Sequence, residues 1–103
     1  MFISHDIAFF TVISTRSQKD ALLNAISDYG GRFTKIIYGR GTFKASSITE
    51  ALGFIPEKEK LIITFFVSKS HSDDILNMLT NDFHFDEQNT GIAFSHIIKS
   101  FAI

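Results

Sequence analysis

The sequence predicts a single α+β domain in which a four-stranded antiparallel sheet carries two helices on one face, in the order βαββαβ. Three observations predict it. Stretches over 7–14, 32–39, 61–67 and 91–102 are rich in β-branched and aromatic residues. Two intervening segments repeat apolar residues at helical spacing. Glycines and short polar residues stand where one pattern gives way to the next.

The first strand is read at Ile7–Ser14, IAFFTVIS, too short for a typical helix and apolar on both of its faces. A helix should follow, with Ser17 as its cap, Asp20 three positions on, and Leu22, Ala25, Ile26 and Tyr29 on its inner side. Gly30 and Gly31 stop it. The second strand is Arg32–Gly39, RFTKIIYG, and the third Leu61–Val67, LIITFFV. Ser70 or Ser72 then opens a second helix, whose first turn carries Asp73 and Asp74 toward the positive end of its dipole and whose inward face is Ile75, Leu76 and Leu79. Gly91 to about Ala102 forms the last strand. Right-handed crossovers place both helices on the same side, which is the ferredoxin-like arrangement.

That arrangement leaves the other side of the sheet bare. Ile7, Phe9 and Ile13 alternate with Ala8, Phe10 and Val12, and Leu61–Val67 is equally apolar on both faces. Two helices cover only one face, and a continuous apolar patch of this kind marks an interface. Self-association through the sheet is therefore expected.

Length and composition bound the rest. The 103 residues suit one domain, 1–103, and a composition 45% hydrophobic and 20% charged is that of a folded chain. Ten basic and eleven acidic residues give a net charge of −1, which offers no concentrated positive field for nucleic acid. The absence of cysteine excludes disulfides, thiol catalysis and cysteine-based metal sites. The opening MFISHDIAFFTVIST places His5 and Asp6 within its apolar stretch and has no basic leader, and no run reaches the roughly eighteen apolar residues of a membrane span. A cytoplasmic protein without direct membrane insertion is expected.

Between the second and third strands lies a long connection, about 42–60, TFKASSITEALGFIPEKEK, where a hairpin needs only about two to five residues. Such a loop reads as a recognition element. Its candidate partner-binding residues are Phe43, Lys44, Glu50, Phe54, Glu57 and Lys58.

With these elements in place, the chain resembles the nitrogen regulatory PII family and its PII-like relatives. DYGGRFTKIIYGRGTF, Asp28–Phe43, is similar to that family's helix end, turn, second strand and glycine-arginine entry to its T-loop. GFIPEKEKLII, Gly53–Ile63, is similar to the T-loop exit, and NTGIAFSHII, Asn89–Ile98, to the B-loop running into the last strand. The resemblance implies a homotrimer whose sheets face one another. It also implies a small effector, with an adenine nucleotide as candidate, held in clefts between subunits. The T-loop would then engage a target enzyme or transporter. Gly39, Arg40, Gly41 and Thr42 would form the T-loop base, and Thr90, Gly91 and Ile92 the remnant of the B-loop. Glycines let backbone N–H groups approach an anion, and Arg40 offers a planar charged fork.

The departures point to the diverged PII-like branch. Ile92 stands where the family places a phosphate-holding lysine, the arginines beyond its last strand have no counterpart up to Ile103, and residues 42–60 hold no tyrosine for modification. A smaller or less charged effector than a triphosphate is implied.

No catalytic and no metal residue is assigned, and the chain is read as a regulator rather than an enzyme. His5, His71, His84 and His96 lack the close spacing of paired ligands, and His96 is in phase with Ile92, Phe94 and Ile98 on the last strand. Glu57, Glu59, Asp86 and Glu87 sit in charged loops without an apolar pocket to raise a carboxyl pKa. No nucleophile elbow or phosphate-binding GxxxxGK[ST] loop is present. Two alternatives use the same fold: a small cofactor-free monooxygenase or isomerase, and a divalent-metal-binding trimer.

Overall fold

A computed structural model describes residues 3–4, 6–40, 59–87, 91–98 and 101–102. Its strands are β1 (Ile3–Ser4), β2 (Ile7–Thr15), β3 (Arg32–Arg40), β4 (Glu59–Ser68), β5 (Ile92–Ile98) and β6 (Phe101–Ala102); its helices are α1 (Lys19–Asp28) and α2 (Ser72–Phe83). The sheet runs β3-β4-β2-β5 with every pair antiparallel, which is the expected ferredoxin-like βαββαβ arrangement. β1 and β6 were not separate in the sequence pattern. They pair as Ile3↔Ala102 and Ser4↔Phe101, in the same register that joins Ile7 to Ile98, so they prolong the β2–β5 ladder.

Alternation sorts the strand residues onto two faces. On one, Ala8, Phe10, Val12 and Ser14 of β2 and Leu61, Ile63, Phe65 and Val67 of β4 are buried under Leu22 and Ile26 of α1 and Ile75, Met78 and Leu79 of α2. Phe10 and Phe65 stack at 5.2 Å at the centre of this layer. Leu76, expected to face inward, is exposed, and Met78 takes the buried position because 75, 78 and 79 share the stripe that meets the sheet.

The opposite face carries no helix among the described residues. Ile13 is nonetheless buried there, because Ile62, Ile92 and Phe94 crowd round it from β4 and β5. Exposure rises toward the β3 edge, where Ile37 of β3 and Phe66 of β4 are open to solvent.

Neither helix is capped as its serines suggest. Each strand instead turns through a 3-10 segment, Arg16–Gln18 before α1 and Lys69–His71 before α2, and the caps are Gln18 and His71, without a side-chain cap bond. The Ser17 hydroxyl pairs with that of Thr15, and Ser70 with Ser68, each at 2.9 Å. Ser17 and Ser70 lie within those 3-10 segments, one residue short of the cap positions. At the other end of α1, Gly30 adopts φ 92, a left-handed conformation suited to glycine, and the Tyr29 carbonyl lies 3.0 Å from His71 Nδ1.

Candidate functional site

Four ends of the sheet converge on one rim. Gly39 of β3 is opposite Lys60 of β4, Lys60 is opposite Thr15 of β2, and Ile92 of β5 is opposite Ile13, so the two segments read as a binding site begin and end at the same level. They do not lie together. β3 and β5 are the outer strands, and β4 and β2 stand between them. Three strand spacings separate them by about 14 Å within one chain.

The two glycines at this rim differ in kind. A methyl group added to Gly91 would fall 2.4 Å from the Phe85 ring, so glycine is needed there for packing. Added to Gly39 it would meet nothing within 4 Å among the described residues. Packing against the described residues thus gives no reason for glycine at position 39. Arg40 pairs with Glu59 across the first rung of the β3–β4 ladder. The expected loop is thus shorter than 42–60, since Glu59 and Lys60 are already strand. Gly41, Thr42, Phe43, Lys44, Glu50, Phe54, Glu57, Lys58 and Thr90 lie outside the described residues.

Sequence reasoning missed a cationic group beside this rim. The Arg16 guanidinium sits 4.6 Å from the centre of the Tyr38 ring and the Lys19 ammonium 6.0 Å from it. Such stacking attracts a cation to the ring's negative face. Lys60, at the end of the segment expected to be loop, is only 6% exposed. The available signal was Tyr38 immediately before the GRG triplet; the position of Arg16 depends on the 3-10 corner, which has no clear sequence mark.

His96 lies on the helix-free face, as its phase with Phe94 suggests, stacked at 6.5 Å on Phe9 and edge-on at 6.0 Å to Phe94. Among the described residues no three His, Cys, Asp or Glu side chains are grouped to hold a metal ion. No helix among them is long and apolar enough to cross a membrane.

No protein-family model and no curated protein sequence matches the chain. Solved structures do. A PII-like signalling protein of Thermus thermophilus superposes with a TM-score of 0.68 at 16% identity, over 98% of this chain and 91% of that one. CPII from Thiomonas intermedia K12, a nitrogen regulatory PII-like protein solved with ADP, AMP and acetate, gives 0.70 at 14% identity over 100% of this chain and 94% of its own. CutA of Synechococcus elongatus PCC7942, complexed with Bis-Tris, gives 0.67 at 9% identity over 99% and 89%. Topology, full-length coverage and the converging rim together show that this chain has the fold of the PII-like signalling proteins.

Proposed function

We propose that the chain is a non-enzymatic, trimeric PII-like regulator that binds an adenine nucleotide between subunits and signals to a target protein through residues 42–58. One observation carries the reading: the two halves of the candidate pocket, Gly39–Arg40 and Gly91–Ile92, occupy opposite edges of the sheet. A ligand that touches both must lie between two copies, with β3 of one beside β5 of the next. The helix-free apolar face supports the same assembly, because it needs cover that the chain's own helices do not supply.

The chemistry of the rim supports the choice of effector. Open backbone at Gly39, the charge of Arg40 and the nearby Arg16 and Lys19 suit a phosphate-bearing ligand, while Ile92 contributes no charge where a further phosphate would be held. AMP or ADP fits this better than a triphosphate, and CPII is a protein of the same fold with both bound. The protein would act in the cytoplasm on a transporter or enzyme.

Light scattering combined with calorimetry tests the proposal. A mass three times that of the chain is expected, with heat released on adding AMP or ADP. Arg40→Ala should weaken that binding by about 1.5–3 kcal/mol, the contribution of a charged hydrogen bond. A monomeric mass removes the intersubunit pocket; a trimer that binds neither nucleotide removes the effector.

A further inference from the structure

Phe33 departs from two ordinary preferences at once. Its φ is 54, in the left-handed region that a bulky side chain seldom occupies, and it is 84% exposed although wholly apolar. The cause is a bulge. β3 pairs with β4 at Arg32↔Phe66 and again at Lys35↔Thr64, so Phe33 and Thr34 face the single position Phe65. The extra residue turns the Phe33 ring onto the helix-free face, where it meets Phe66 edge-on at 6.4 Å.

Phe33 is the outer end of a row of rings. Phe66 lies 5.0 Å from Phe9, Phe9 is 6.5 Å from His96, and His96 is 6.0 Å from Phe94. The row crosses β3, β4, β2 and β5 in turn, from one edge of the sheet to the other. Phe9 and Phe94 are half-buried, Phe66 is 37% exposed, and Phe33 overhangs the edge. Among the described residues its one aromatic contact is the edge-on meeting with Phe66, on a strained backbone. Strain of this kind persists where function holds it.

We propose that Phe33 is the anchor by which each copy grips the next, its ring seated against Phe94, His96 and Ile98 on the β5 edge of the neighbour. The inference rests on the assembly proposed above and names the contact that makes it. Occupancy by a second copy follows from the position of knob and socket. Phe33 and His96 sit at opposite ends of one row, at the same level of the sheet, so a head-to-tail contact between edges matches them in every interface of a closed ring. The same contact brings Gly39–Arg40 of one copy toward Gly91–Ile92 of the other. The pocket and the anchor thus require one arrangement.

The chain has no cysteine, so a disulfide reports this contact directly. Within one chain residues 33 and 96 are about 14 Å apart across the strands, beyond disulfide reach. The doubly substituted Phe33→Cys, His96→Cys protein should, on oxidation, give covalent dimers and trimers on a non-reducing gel, whereas each single variant should not give trimers. In a dilution series by sedimentation velocity, Phe33→Asn, which accepts a left-handed backbone, should raise the dissociation constant about thirtyfold, as truncation of an interface hot spot does. Its circular dichroism should stay native, and Phe33→Tyr should assemble like the parent. A trimeric parent whose double-cysteine form stays uncrosslinked, or whose Phe33→Asn variant assembles as tightly, overturns the anchor alone. A parent that remains monomeric overturns the assembly as well.

Discussion

Single atoms separate the two glycines at the rim. Among the described residues Gly39 has room for a methyl group and Gly91 does not, because the Phe85 ring fills the space. Gly39→Ala should therefore leave the urea midpoint of the protein unchanged while reducing nucleotide affinity, measured by calorimetry. Gly91→Ala should lower stability by about 1–3 kcal/mol, the usual cost of overpacking. Equal loss of stability in both would mean that the space over Gly39 closes in solution. At this scale the sequence was informative but ambiguous: a glycine has the same letter whether it clears the way for a neighbour's ring, as at position 91, or stands in open space, as at position 39 among the described residues. Phe33 carried no signal at all, since its conformation is imposed by a bulge and a phenylalanine in RFTKIIYG reads as an ordinary strand residue.

The elements were legible where patterning was strong. Strands apolar on both faces and helices with a 3.6-residue stripe appeared within a residue or two of their expected places, because burial sets those patterns. Corners were less so. Ser17, Ser70 and Ser72 look like caps, yet both strand-to-helix junctions use paired hydroxyls and a 3-10 turn, a solution the two halves of the fold share. The layer between sheet and helices rests on the Phe10–Phe65 stack, both rings fully buried. Phe65→Ala should cost about 3–5 kcal/mol in chemical denaturation. A loss below about 1 kcal/mol would indicate that α1 and α2 settle into the gap.

For the molecule as a whole, the proposed assembly through the helix-free face makes stability depend on concentration. Subunits that bind one another only when folded stabilise the native state by mass action. The denaturation midpoint should therefore rise when protein concentration is raised a hundredfold, and a midpoint independent of concentration would show that the face is tolerated in water. The sequence announced this face through two doubly apolar strands. It did not show that Ile13, Ile62, Ile92 and Phe94 would shelter one another, which concentrates exposure near β3. The placing of Gly39 and Gly91 toward opposite edges was legible only through the ferredoxin-like arrangement, because strand order is a property of the crossovers and not of spacing along the chain.

The β1–β6 pairing has a practical consequence. Ile3 and Ala102 are neighbours on the rim farthest from Gly39 and Ile92. Fluorophores placed at positions 3 and 102 would consequently report fraying of that ladder from the side of the sheet opposite Gly39 and Ile92.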